Sequence, residues 1–259
     1  MTTDKKGIHR FELTNRVAIM TGAGKGLGRA MAIALAEAGA DVVVTSRTME
    51  ELESLAAEIR SLDRKALPIQ ADILEPDSGE NVIAQAEKEM GHIDILVNNA
   101  GINIRKDAVD LPVKEFKRVI DTNLTGTFLF SQAAGKRFLK QGSGKIINVS
   151  SVLGSVTLPS QTAYSSSKGG VEMLTKVLAL EWATHNIQVN SLAPTYFETD
   201  LTRPLYQDPE RRAFIEERTP MGRWGQPDEL AGAVIFLASK ASDFVTGQTL
   251  FVDGGWTAW

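Results

Sequence analysis

The chain has 259 residues, of which 43% are hydrophobic and 23% charged, with a formal net charge of −4 and no cysteine. That length suits one large α/β domain with a full core and requires no second domain. The acidic balance argues against a non-specific nucleic-acid surface, and the absence of cysteine removes disulfides, thiolate metal sites and cysteine nucleophiles together.

The opening stretch, MTTDKKGIHRFEL, has no apolar core of signal-peptide length, and residues 1–10 read as a flexible polar tail. No apolar run reaches the roughly eighteen residues of a membrane span, so a cytoplasmic protein without membrane partners is expected. From Val17 short apolar runs alternate with helical periods. Val17–Thr21 is the first strand, followed by a glycine turn and a helix over Arg29–Ala38 that Gly39 closes. Val42–Ser46 is the second strand, and Thr48 with Glu51 has the spacing of a capping box for a helix reaching Leu62. A third strand at Ala66–Gln70 precedes a helix over Pro76–Met90, and Ile93–Asn98 is the fourth strand. One long helix is predicted over Pro112–Leu139, then a strand at Lys145–Ser150 and a helix from Tyr164 to Thr184. Ile187–Ala193 and Thr249–Asp253 are the last strands, separated by a helix over Pro227–Ser239 whose first turn holds Asp228 and Glu229.

Continuous apolar strands joined through helices imply a doubly wound parallel sheet, buried on both faces and linked by right-handed crossovers. Residues 195–226 are the one long departure from this rhythm. They emerge at the carboxyl ends of the strands, where ligands bind in such sheets, and are read as a substrate lid. The histidines, His9, His92 and His185, are scattered without metal-ligand spacing, so no metal is expected.

Two stretches carry chemistry. Gly22, Gly24, Gly26 and Gly28 lie at the first strand–helix junction, where a glycine turn lets a pyrophosphate approach the free N–H groups of a helix N-terminus. Further on, Tyr164 and Lys168 share one helix face, and Ser151 leaves the preceding strand thirteen residues before the tyrosine. A close cation favours a phenolate. Bringing a tyrosine from its usual value near 10 to about 7 takes roughly 4 kcal/mol, so Lys168 is expected to acidify Tyr164.

Thr21–Gly28, the Asn98-Asn99-Ala100-Gly101 segment, Asn123, Ser151 and Tyr164-x-x-x-Lys168 occur in that order. Together they resemble the short-chain dehydrogenase/reductase family over nearly the whole chain. The resemblance implies a single Rossmann-like domain over 1–259 with a seven-stranded parallel sheet, assembled as a homotetramer, and an NAD(P)-dependent oxidoreductase. It also implies roles for particular residues. Tyr164 would exchange a proton with the substrate oxygen, Lys168 would lower its pKa and hold the nicotinamide ribose, Ser151 would bind the reacting oxygen, and Asn123 would anchor a relay water. Gly22, Gly24, Gly26, Leu27 and Gly28 would cradle the coenzyme, Asp72 and Ile73 would meet the adenine, and Asn99, Ala100 and Gly101 the adenosine ribose. Pro194 and Phe197 would also contact the coenzyme, and Thr199 the nicotinamide amide. The family usually has Pro-Gly after strand six, whereas here Thr195 follows Pro194, which puts the local loop path in question.

Charge argues for the coenzyme. An NAD site wants a carboxylate at the end of the second strand, and Asp41 stands at its start. Lys25, Ser46 and Arg47 offer two cations and a hydroxyl, which suit the 2′-phosphate of NADP, with NAD a further possibility. For the substrate, Arg105 is placed to grip a carboxylate, with Ser151, Gln161, Tyr196 and Trp224 as candidate lining. Ala100–Leu111, Arg218–Leu230 and Phe251–Trp259 are similar to the gluconate 5-dehydrogenase and 2-dehydro-3-deoxygluconate 5-dehydrogenase branch, which implies a sugar acid interconverted between C5 alcohol and ketone. The alternatives are another carbonyl substrate, such as a β-ketoacyl thioester, and a non-catalytic dinucleotide-binding protein.

Overall fold

The computed structural model describes residues 7–258. Seven strands, β1 (Val17–Thr21), β2 (Asp41–Ser46), β3 (Ala66–Gln70), β4 (Ile95–Asn98), β5 (Gly144–Val149), β6 (Ile187–Pro194) and β7 (Thr249–Val252), form one sheet in the order β3-β2-β1-β4-β5-β6-β7. Every pairing is parallel. The strands read as unbroken apolar runs because both faces are covered. Along β1, Ala18 and Met20 enter one hydrophobic cluster while Val17 and Ile19 enter the other, and β2 splits the same way between Val42 with Val44 and Val43.

Three helices cover each face. α1 (Gly26–Glu37), α2 (Met49–Arg60) and α9 (Ala231–Ala238) bury Leu35, Leu52 and Leu237 on one side. α3 (Ser78–Met90), α5 (Gly126–Gln141) and α6 (Thr162–Trp182) bury Val82, Phe138 and Leu178 on the other. The remaining helices are α4 (Val113–Ile120) and two short ones in the 195–226 excursion, α7 (Arg203–Tyr206) and α8 (Pro209–Arg218). That excursion packs on a third apolar cluster of Val152, Leu153, Tyr196, Ile215, Trp224 and Trp256.

Several local expectations change. α1 starts at Gly26 rather than Arg29, so the end of the glycine turn is already helical. The capping box at the head of α2 does not form: Thr48 makes no side-chain cap bond. The helix predicted over Pro112–Leu139 is interrupted by a π turn at Asp121–Thr125, which separates α4 from α5. The stretch Pro227–Leu230 is a 3-10 turn leading into α9. Of the tail expected at 1–10, Gly7–Phe11 forms a 3-10 helix, and residues 1–6 lie outside the described residues. No described helix is long and apolar enough to cross a membrane.

Candidate active site

The strand order reverses between β1 and β4, and the carboxyl ends of these two strands are stapled together. Thr21 Oγ1 accepts from the backbone N–H groups of Asn99 (2.9 Å) and Ala100 (3.1 Å). Asn99 Nδ2 donates to the carbonyls of Thr21 (3.1 Å) and Gly22 (3.0 Å). Gly22 adopts a φ of +62°, and a Cβ there would stand 2.8 Å from Ala100 Cα, so only glycine fits. The turn therefore ends with free N–H groups of α1 facing an open cleft.

That cleft is a cavity of about 400 Å³. Its wall begins at Ser46, Arg47 and Lys25, passes the glycine turn with Gly24, Gly26, Leu27 and Gly28, and runs by Asp72, Ile73 and Asn99–Gly101 to Ser151, Tyr164 and Lys168. Pro194, Tyr196, Phe197 and Thr199 line it as well, Thr199 standing against Gly26. Thr195 follows Pro194 without diverting the chain, because its N–H still pairs with Val252 O (3.3 Å). Arg105 lines the same cavity; Gln161 and Trp224 do not. Gln161 is 4% exposed and accepts from Asn103 Nδ2 (3.0 Å), while Trp224 packs edge-on behind Tyr196 with ring centroids 5.5 Å apart. Both residues support the wall from behind.

Ser151 sits just past β5 and its Oγ accepts from Leu153 N (3.2 Å). Tyr164 lies in the first turn of α6, hydrogen-bonded to Ser151, and Lys168 one turn later. The ammonium of Lys168 donates to Val149 O (2.6 Å) and stands 5.7 Å from the centroid of the Tyr164 ring. Burial is the dominant electrostatic influence on both side chains. It pushes the Tyr164 phenol above its ordinary value, against the pull of the Ser151 hydrogen bond and the Arg105 charge. It lowers Lys168 to about 8. The acidification of Tyr164 by Lys168 expected from their spacing is thus not the balance in the chain by itself: the lysine meets a backbone carbonyl and the ring, and desolvation wins.

Asn123 occupies the π turn and is fully buried. Its Oδ1 accepts from Ile102 N (2.8 Å), and its Nδ2 donates to Ile102 O (2.9 Å) and Ser167 Oγ (2.9 Å). Ser167 in turn donates to Tyr164 O (2.7 Å). One amide therefore joins the loop after β4 to the helix that carries the tyrosine.

Whether a dinucleotide fits is answered by what the wall leaves unpaired. Thr45 Oγ1, Asn103 Oδ1 and Thr195 Oγ1 are buried, line the cavity and have no partner. Orphaned polar atoms around a long cleft are what a polar ligand would satisfy. Asn103, Thr195, Arg118 and Glu51 are wall residues that sequence reasoning missed. Arg118 and Glu51 belong to helices whose periodicity marks them only as solvent-facing, and Asn103 and Thr195 lie in loops without a spacing rule.

Residues 22–257 match the short-chain dehydrogenase profile described as enoyl-(acyl carrier protein) reductase. The chain is 45% identical, over 96% of its length and 98% of the relative's, to a 2-dehydro-3-deoxy-D-gluconate 5-dehydrogenase of Escherichia coli K12. It is 40% identical to a gluconate 5-dehydrogenase of Gluconobacter oxydans, over 95% and 96% of the two lengths. The crystal structure of a gluconate 5-dehydrogenase from Burkholderia cenocepacia in complex with NADP and tartrate superposes with a TM-score of 0.94 at 45% identity, covering 97% of this chain and 98% of that one. The chain belongs to the short-chain dehydrogenase/reductase family of oxidoreductases.

Proposed function

We propose that this oxidoreductase interconverts the secondary alcohol and the ketone of a sugar acid, at C5 of a gluconate-like substrate, with NADP(H) as its preferred coenzyme. The observation that carries the substrate class is Arg105. It lines the cavity beside the tyrosine, its charge reaches the phenols of Tyr164 and Tyr196, and it forms no ion pair among the described residues. An unpaired guanidinium on the wall of the cleft that holds Tyr164 suits a carboxylate, and planar bidentate contact would fix which carbon faces the tyrosine. The names of the three relatives given above, each a dehydrogenase of a gluconate or a deoxygluconate, support the same class.

In this reading Lys25, Ser46 and Arg47 meet the 2′-phosphate, Asp72 and Ile73 the adenine, Asn99 to Gly101 the ribose, and Pro194, Phe197 and Thr199 the nicotinamide side. The coenzyme, when bound, supplies the hydride chemistry. The protein supplies the proton and the geometry. Tyr164 gives its phenolic proton to the substrate oxygen in reduction and takes it back in oxidation, while Ser151 donates to that oxygen and stabilises developing charge. Lys168 positions the ring and adds positive potential. Asn123 holds the loop after β4 in register and, with its surroundings, anchors the relay water. Tyr196 forms the polyol-facing wall, and 195–226 closes over the substrate. The assembly is a homotetramer; the apolar stripe of Met173, Val177 and Leu180 left exposed on α6 supports association between copies.

The test is a panel of sugar acids, neutral sugars and a β-ketoacyl thioester, assayed with NADPH and NADH. Turnover of a 5-keto sugar acid, with Arg105→Ala raising KM about a hundred-fold and leaving the NADPH KM unchanged, is expected. Preferential turnover of the thioester, or an Arg105→Ala enzyme with unaltered KM, overturns the substrate assignment.

A further inference from the structure

The carboxylate of Glu51 lines the cavity at the corner formed by Lys25, Ser46 and Arg47. Sequence spacing assigns it to a capping box with Thr48, yet that cap does not form, and the freed side chain turns instead toward the glycine turn. There it contacts the position a Cβ of Gly24 would fill, next to Ser46 Oγ, which would lie 3.2 Å from the same Cβ. Its Oε1 stands 3.9 Å from Lys25 Nζ. Glu51, Ser46, Arg47 and Lys25 all line one corner of the cavity. Gly24 is what permits this, since any side chain there would collide with the carboxylate.

We propose that Glu51 is a specificity-determining residue that weakens discrimination in favour of NADP(H) and admits NAD(H). This deepens the coenzyme assignment above and rests on the cleft being its site. The corner that offers two cations to a 2′-phosphate also holds a fixed negative charge. A dianionic phosphate entering it meets repulsion and must share Lys25 with Glu51. A ribose 2′-hydroxyl meets the opposite situation, because a carboxylate is the acceptor such a hydroxyl requires. In the usual dinucleotide fold that acceptor sits at the end of the second strand. Here Ser46 and Arg47 occupy the strand end, and the first turn of α2 brings a carboxylate to the same corner. The pair of cations and the carboxylate therefore pull specificity in opposite directions, and removing the carboxylate leaves only the cationic pull.

The experiment uses Glu51→Gln, with Glu50→Gln as the control. Glu50 is exposed on the same helix and outside the cavity wall, so both variants change net charge equally. Dissociation constants of NADP⁺, NAD⁺ and adenosine 2′,5′-bisphosphate are measured by titration calorimetry on the coenzyme-free protein at low and high salt. Glu51→Gln is expected to raise the ratio Kd(NAD⁺)/Kd(NADP⁺) about ten-fold or more and to tighten the bisphosphate, with a gain that shrinks as salt screens the charge. Glu50→Gln is expected to leave the ratio within about two-fold, and thermal stability should not distinguish the two variants, because the cap is unused. A ratio that Glu51→Gln leaves within two-fold of wild type, or shifts no more than Glu50→Gln does, overturns the proposal. A wild-type protein that prefers NAD⁺ would remove the NADP(H) assignment without touching this one, since the shift is read against whatever ratio the wild type shows.

Discussion

Burial of the Lys168 ammonium, 4% exposed and lowered to about 8, sets catalysis against stability within one side chain. The folded value lies below the ordinary lysine value of 10.5, so between pH 8 and 10.5 the unfolded chain binds more protons. The cost is therefore fully present below pH 8, falls as pH rises through that window, and is gone above it. A shift of this size corresponds to about 3 kcal/mol, against which the hydrogen bond to Val149 returns about 1 kcal/mol. Lys168→Met should then stabilise the coenzyme-free protein by about 2 kcal/mol at pH 7 and by much less at pH 10, read from urea midpoints. Turnover should fall at least about a hundred-fold. A variant no more stable than wild type at pH 7 would show that the backbone hydrogen bond outweighs desolvation. The Tyr164–Lys168 pair was readable because helix periodicity puts i and i+4 on one face. The direction of the tyrosine's shift was not, because desolvation depends on Leu153, Tyr196 and other residues distant in sequence that fold over it. Glu51 failed for a related reason: capping-box spacing is local, while the attraction of Lys25 and the gap left by Gly24 come from another element.

Among the elements, the strands and their order of appearance were legible, because a parallel sheet buried on both faces has no polar alternation to confuse with helix. The interruption between α4 and α5 was not. Nothing in the composition of Asp121–Thr125 breaks a helix. The π turn accompanies a tertiary contact in which Asn123 clamps both backbone groups of Ile102. Inserted turns of this kind are rare and mark sites where a side chain must be re-aimed. Asn123→Ala strands the buried groups it served and should cost about 3 kcal/mol, a fall of about 5–10 °C in Tm. Asp121→Ala, at an exposed position in the same turn, should change Tm by less than about 2 °C. Equal effects from the two would mean that the clamp carries no stability. The loss at Asn123 should also appear in kcat, since Ser167 links this amide to the turn that holds Tyr164.

At the scale of the whole molecule, the reversal of strand order between β1 and β4 fixes where the cleft opens. That ligands meet the carboxyl ends of the strands followed from the βα rhythm, whereas the strand order is a matter of tertiary pairing. How copies associate did not follow. α6 carries Val171, Thr175, Leu178 and Ala179 into the core, but Met173, Val177 and Leu180 form a second apolar stripe that faces solvent, Leu180 at 81% exposure. In sequence a helix apolar on two sides reads as deeply buried, so a contact surface between chains cannot be separated from core. The structure separates them, because the second stripe stays exposed while the first is buried. If it is a seam between copies, Val177→Glu with Leu180→Glu places unpaired carboxylates in that seam at no cost to the fold of one chain. Light scattering should then report a species smaller than wild type, with an unchanged far-ultraviolet spectrum and little change in coenzyme affinity. An assembly of undiminished mass would place the seam elsewhere on the surface and leave this stripe without a partner.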